Sequence, residues 1–258
     1  MPPAQTRFYR HALQALQRAG VPFLVGGAAA LKVYTGIERD TKDLDLFVRR
    51  RDLESGMNAL SAAGYPSELV FSHWLAKSYC DRHYVDLIFG SANGVCRVDN
   101  AWFQFATRAS LFDVPVWVCP IEETIWVKSF IMERERFDGA DVAHLLRATT
   151  DTIDWWRLLE RFDEHWPVLL SHLVLFQFIY PDQAHEIPTW LVRTLARRLD
   201  GAGGRATSNV CHGTLLSRDQ YLPDLQQGLI DGRLLPSGSL TTEEVEAWTN
   251  GDPERQAS

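Results

Sequence analysis

Phe23-Leu24-Val25-Gly26-Gly27-Ala28-Ala29-Ala30 and, a short way on, Arg39-Asp40-Thr41-Lys42-Asp43-Leu44-Asp45-Leu46-Phe47-Val48 decide how this chain folds. The first run reads as a short buried strand entering a Gly-Gly turn, then a helix over Ala28–Tyr34 that Gly36 ends. The second reads as a strand over Leu44–Val48. Side chains alternate across a strand, so Asp43 and Asp45 share one face while Leu44 and Leu46 point to the other. Strand, glycine turn, helix and strand follow at the spacing that such a unit requires.

Working outward, Phe8, Ala12, Leu13, Ala15 and Leu16 recur at helical spacing, and Gly20 with Pro22 stop that helix. Asp52–Ala63 is an amphipathic helix closed by Gly64. Leu75–Cys80 and Tyr84–Phe89 are strands joined at Asp81-Arg82-His83, a hairpin that carries Asp86. A second hairpin joins Ser110-Leu111-Phe112 to Val116-Trp117-Val118 around Asp113-Val114-Pro115. From Pro120 the pattern turns helical: Ile121–Glu135, Ala140–Arg147, Trp155–His165, Val168–Phe178 and Pro188–Leu199. Gly201–Ser208 has the composition of a flexible linker. Beyond it lie two capping boxes, Ser217-x-x-Gln220 and Thr241-x-x-Glu244. The expected class is α+β, a small mixed twisted sheet flanked by helices and followed by a helical domain. The expected boundaries are 1–119 for the core, 120–200 for the helical domain and 201–258 for a linker and C-terminal extension.

Composition narrows the chemistry. A formal net charge of −7, from 26 Lys+Arg against 33 Asp+Glu, excludes a global positive field able to hold a long nucleic acid. Four scattered cysteines with no C-x-x-C pair argue against a zinc knuckle or redox motif and fit a reduced, cytoplasmic protein. The N-terminus has no apolar core of signal-peptide length. The longest apolar stretch, Trp166–Tyr180, is interrupted by Ser171, His172 and Gln177 and falls short of the ~20 residues of a membrane span. It is expected to be a buried helix.

Two aspartates one residue apart, with a third on a neighbouring strand, concentrate negative charge that needs a cation. Hard carboxylate oxygens suit magnesium, which typically takes one or two protein carboxylates and completes its shell with substrate phosphates. Two such ions ~4 Å apart serve in-line displacement at phosphorus. The Gly26-Gly27 turn, opening a helix, lets backbone N–H groups approach phosphate oxygens with no Cβ in the way. The plainer alternatives are an Asp pair acting as turn acceptors, an Asp86 on an edge strand, and loop or helix-surface charges at Arg39, Lys42 and Lys128. Carboxylate flanked by Tyr84, Val85, Leu87, Ile88 and Phe89 is costly to bury unpaired, which favours a site at Asp86. Trp155, Trp156 and Trp166 read as core, and His83 as an exposed turn histidine.

Taken together, Phe23-Leu24-Val25-Gly26-Gly27-Ala28-Ala29-Ala30, Gly36-x-x-Arg39-x-Thr41-x-Asp43-Leu44-Asp45-Leu46, Tyr84-Val85-Asp86-Leu87-Ile88-Phe89 and Pro120-Ile121-Glu122-Glu123 with Lys128 resemble the DNA polymerase beta-type nucleotidyltransferase superfamily. Within it they look most like small bacterial members, toxin nucleotidyltransferases of abortive-infection type and antibiotic nucleotidyltransferases. The resemblance covers roughly residues 20 to 147. It implies a transferase that moves a nucleoside monophosphate from a nucleoside triphosphate, ATP included, to a hydroxyl or phosphate of an RNA, a protein or a small molecule. By resemblance, Asp43 and Asp45 are catalytic metal ligands for two magnesium ions, and Asp86 is the third metal ligand or the general base. Gly26, Gly27, Arg39, Lys42, Lys128 and Asp141 are implied at the nucleotide, in a cleft between core and helical domain. A toxin-like member implies an antitoxin partner. One departure is Ala28, where many members have serine, which shifts phosphate binding onto backbone and basic side chains. A non-catalytic nucleotide-binding module is the alternative of another class.

Overall fold

The computed structural model describes residues 2–202 and 209–251, so most of the glycine-rich 201–208 segment lies outside the described residues. The chain divides into two compact units. One holds the residues up to Pro120 together with those from Arg233 onward, and the other is Ile121–Gly232. The C-terminal stretch, expected to form one extension from residue 201, is therefore shared between the units.

The sheet unit is mixed α/β. Helix α1 (Pro3–Arg18) leads to β1 (Leu24–Val25), α2 (Gly27–Thr35), β2 (Asp43–Phe47) and α3 (Leu53–Ala62). Then come β3 (Ser67–Phe71), β4 (Leu75–Cys80), β5 (His83–Ile88), α4 (Asn100–Gln104), β6 (Thr107–Leu111) and β7 (Val114–Val118). The strands form one sheet in the order β3-β4-β5-β2-β1-β7-β6. β2 runs parallel to β5 and β1 parallel to β7, while β1 and β2 are antiparallel. This matches the expected mixed sheet with flanking helices.

The sheet's core face carries Val25, Leu44, Leu46, Ala76, Val85 and Leu87, and α1 buries Phe8, Tyr9, Ala12, Leu13 and Leu16 in the same cluster. The alternation that buries Leu44 and Leu46 turns Asp43 and Asp45 to the opposite face, so apolar burial positions the carboxylates. Glycines end the local elements as their positive φ allows: Gly36 at 74° caps α2 and Gly64 at 90° follows α3.

Several local expectations shift. The second hairpin turns at Phe112 and Asp113, both with positive φ, so Val114 and Pro115 belong to β7. β3 and α4 had no expected counterpart. β3 exposes Glu68 and Leu69 and lacks a clean alternation, which hides it from pattern reading.

The second unit contains α5 (Ile121–Ser129), α6 (Gly139–Thr149), α7 (Trp155–Phe162), α8 (Trp166–Ile179), α9 (Thr189–Ala202), β8 (Val210–Cys211), α10 (Leu222–Gln226) and β9 (Ile230–Asp231). α5 stops six residues short of Glu135 because Met132 and Phe137 form an antiparallel bridge that folds the chain back. α8 buries Leu169, His172, Leu173 and Phe176 but exposes Val174, Leu175, Phe178 and Ile179, so only one face is buried. Trp155 is buried as expected, whereas Trp156 is 67% exposed and stacks on Trp190 at 4.0 Å between ring centroids. Ser217 bonds the Gln220 backbone N–H without starting a helix there. Thr241 does form its capping box, at the start of α11 (Thr242–Asn250) in the sheet unit. The four cysteines are free thiols. Among the described residues no helix is long and apolar enough to cross a membrane.

Candidate active site

Each carboxylate is placed by strand register. Asp43 stands opposite Tyr84 and Asp45 opposite Asp86 on the parallel β2–β5 pair. Asp43, Asp45 and Asp86 each bring one oxygen to within 4.8 Å of the others. Thr41 Oγ1 donates to Asp43, tying the loop before β2 to the first carboxylate. Asp45 also sits against the glycine turn, where the Gly26 N–H donates to the Asp45 carbonyl at 2.9 Å.

That contact explains the two glycines. A Cβ at Gly27 would stand 1.6 Å from Asp45 Oδ2, and Gly27 has φ +53°. A Cβ at Gly26 would stand 2.3 Å from the Phe47 ring, which itself stacks on Trp102 at 5.1 Å. Any side chain at residue 27 would push the second carboxylate out of the cluster. The turn opens α2, whose first backbone N–H groups face away from intrahelical partners and suit an anion.

Electrostatically, Asp86 is the outlier. It is 7% exposed, and burial pushes its carboxyl up to about 8. Lys77 works against that shift, while Asp45 and Asp43 add to it. Burial also raises the Tyr84 phenol, with Asp43, Asp86 and Asp45 contributing. A metal-free cluster of this kind favours a proton on one carboxylate. A divalent cation would replace that proton, and the all-oxygen donor set fits a hard ion such as magnesium.

Lys77 was not foreseen from the sequence. It lies on β4 directly opposite Asp86, is 2% exposed, and brings its Nζ to 3.4 Å from Asp86 Oδ1. Its ammonium also lies 3.8 Å from the centroid of the Tyr84 ring. The signal was present: a tight turn at Asp81-Arg82 sets Cys80 opposite His83 and, three residues further along each strand, Lys77 opposite Asp86.

A cleft of about 910 Å³ lies at the starts of β2 and β5 and along β3 and the end of β4. Thr41 and Lys42, immediately before Asp43, line it together with Glu68, Tyr79, Arg82 and His83.

No family model matches the chain, and no curated protein matches it in sequence. Solved structures do resemble it. The antibiotic-resistance factor ANT(2'')-Ia, in its solution structure, is 14% identical with a TM-score of 0.43, covering 78% of this chain and 96% of its own. The lincosamide antibiotic adenylyltransferase LnuA, bound to lincomycin, is 15% identical with a TM-score of 0.41, covering 55% of this chain and 97% of its own. JHP933 from Helicobacter pylori is 13% identical with a TM-score of 0.37, covering 77% and 93%.

The remaining candidates fall in different places. Gly26, Gly27 and Lys42 adjoin the carboxylates in sequence and fold, and Arg39 lies exposed in the loop before β2. Lys128 and Asp141 belong to the helical unit and pair with each other. Lys128 is 8% exposed and its Nζ donates to Asp141 Oδ2 at 2.7 Å and to Asp138 Oδ2 at 2.9 Å. The Lys128 ammonium thus clasps the start of α6 to the end of α5 within its own unit. Arg136 also bonds Asp138, at 3.0 and 3.1 Å.

Proposed function

We propose that the chain is a metal-dependent nucleotidyltransferase that moves a nucleoside monophosphate from a nucleoside triphosphate to an acceptor hydroxyl or phosphate. The observation that carries this reading is the convergence of Asp43, Asp45 and Asp86 oxygens within 4.8 Å beside a glycine turn with no room for a Cβ. Isolated Asp-x-Asp pairs serving as turn caps have no need of a third, buried carboxylate aimed at the same point.

In this reading Asp43, Asp45 and Asp86 hold magnesium, which supplies charge neutralisation at phosphorus when bound. Gly26 and Gly27 offer backbone N–H groups to the triphosphate at the start of α2, and Arg39 and Lys42 add positive charge there. Alternatively, Asp86 serves as the general base that accepts the proton of an attacking hydroxyl. In this reading the leaving group lies at the glycine turn and the acceptor approaches the α-phosphorus from the opposite side, as in-line attack requires. Pyrophosphate leaves, and no covalent enzyme intermediate is needed.

For the acceptor, the resemblance to toxin-type members supports an RNA or protein, with an antitoxin as the corresponding partner. One observation favours a second reading. The cleft that Thr41 and Lys42 line has the volume of a small-molecule site, roughly 300–1,000 Å³, and combines Glu68 and Asp81 with Arg82 and Lys42. This suits a small polar, hydroxylated acceptor.

The deciding experiment incubates the protein and magnesium with each α-labelled nucleoside triphosphate and, separately, bacterial RNA, protein and small-molecule fractions. An Asp43→Ala/Asp45→Ala variant runs alongside. Label entering one fraction, and lost in the variant, supports the transferase and names the acceptor class. Magnesium-dependent triphosphate binding with no transfer into any fraction would instead favour a module that binds without catalysing.

A further inference from the structure

Lys77 is among the largest fully buried side chains of the molecule. An ammonium out of water is expensive unless specific partners compensate it. Its partners are Asp86 Oδ1 at 3.4 Å and the face of Tyr84 at 3.8 Å. Register continues the row: Lys77 stands opposite Asp86, Asp86 opposite Asp45, and Asp45 lies against Gly27. Lysine and two carboxylates therefore cross three neighbouring strands in a line that ends at the glycine turn following β1.

We propose that Lys77 is a positioning residue for Asp86. By placing its charge 3.4 Å from Oδ1 it draws that oxygen to the β4 side, so that the second oxygen is presented toward Asp45 and a divalent ion there. This rests on the metal-site reading given above. At 2% exposure Lys77 is too enclosed to meet a substrate, so it acts through Asp86. The alternative is that Lys77 is only a positive charge near the site. The two roles have opposite signs. Removing a repelling charge tightens metal binding, whereas removing the partner that orients a ligand loosens it, by roughly tenfold to a hundredfold for residues that support metal ligands.

The test is a manganese titration of the nucleotide-free, full-length protein, read by electron paramagnetic resonance of the free ion. The wild type is compared with Lys77→Met, Lys77→Gln, Asp86→Asn and the Lys77→Met/Asp86→Asn double variant, with circular dichroism confirming the fold of each. The expected result is manganese binding about tenfold weaker in Lys77→Met and less weakened in Lys77→Gln, which keeps polar N–H groups on the β4 side of Asp86. The double variant is expected to bind no more weakly than Asp86→Asn alone. If Lys77→Met fails to fold, Lys77→Gln carries the comparison. Manganese binding equal to or tighter than wild type in the lysine variants overturns the proposal, as do additive losses in the double variant. Absence of manganese binding by the wild type would instead overturn the metal-site reading itself, and this proposal with it.

Discussion

Two buried lysines face aspartates in this molecule, one in each unit, and they are compensated differently. In the helical unit Lys128 contacts Asp138 and Asp141 at 2.9 and 2.7 Å, and Arg136 reaches Asp138 as well. In the sheet unit Lys77 stands 3.4 Å from Asp86, which shares its surroundings with Asp43 and Asp45. Asp138 and Asp86 are almost equally buried, 6% and 7% exposed. Burial disfavours the charge of both. At Asp138 the Arg136 hydrogen bonds and the Lys128 and Arg136 charges outweigh burial and hold the carboxyl below its ordinary value. At Asp86 burial wins, reinforced by Asp45 and Asp43, and the carboxyl rises to about 8. Close cations make the first cluster a structural clasp. Clustered carboxylates make the second a place where an added cation gains free energy.

The largest expected effect separates the clusters by activity. Asp45→Asn is expected to lower nucleotidyl transfer by a factor on the order of a thousand, comparable to losing a major electrostatic group at a reacting centre; retention of a tenth of the wild-type rate in the labelled-triphosphate assay would dissolve the distinction. Next comes the clasp. Lys128→Met leaves Asp138 and Asp141 without their shared lysine, and breaking a buried pair in this way costs about 3–5 kcal/mol, to be read as a lowered urea midpoint. A loss under about 1 kcal/mol, typical of surface pairs, would show that the cluster is not the clasp described.

Proton linkage gives the two aspartates opposite signs. Asp86 has its folded value raised, so the native state binds more protons than the unfolded chain between the ordinary carboxylate range and about pH 8. In metal-free protein its contribution is present at low pH and fades as pH rises through that window. Magnesium, needing the carboxylate form, is expected to bind more tightly over the same rise. Asp138 has its folded value lowered. Its contribution is present above the ordinary carboxylate range and lost as pH falls through the depressed value. Denaturation across pH should show the alkaline-side loss shrinking in Asp86→Asn and the acid-side loss shrinking in Asp138→Asn; identical profiles for both variants would contradict the assignment. The smallest effect is at Asp43. Replacing it by Asn keeps an acceptor for Thr41 and relieves repulsion within the cluster, so metal-free Asp43→Asn is expected to gain up to about 1 kcal/mol in thermal melts, and a clear loss would argue against net repulsion there.

The same contrast shows what was legible in the sequence. Glycines and alternation are local signals, and Gly26, Gly27, Asp43, Asp45 and the strand of Asp86 are legible from them. Partnerships between distant residues were harder to read. Lys77 is hidden because Asp81-Arg82-His83 reads as a three-residue turn, which blurs the register that sets Lys77 opposite Asp86. Lys128 carried the pattern of a solvated or phosphate-facing helix residue, and only the reversal at Met132 and Phe137 brings Asp138 and Asp141 to it. The division of the C-terminal stretch has the same origin. Leu235, Ser239 and Leu240 bond within their own turn and to Gly94, more than a hundred residues earlier, and no periodicity encodes such a return.

The most direct test of the central claim is calorimetric titration of a non-hydrolysable nucleoside triphosphate analogue, with magnesium and with chelator, into wild type, Asp43→Asn/Asp45→Asn and Asp138→Asn. The account predicts magnesium-dependent binding by the wild type and by folded Asp138→Asn, and none by the double variant. Undiminished magnesium-dependent binding by Asp43→Asn/Asp45→Asn would contradict it, because the carboxylates of the sheet unit would then not be the metal site.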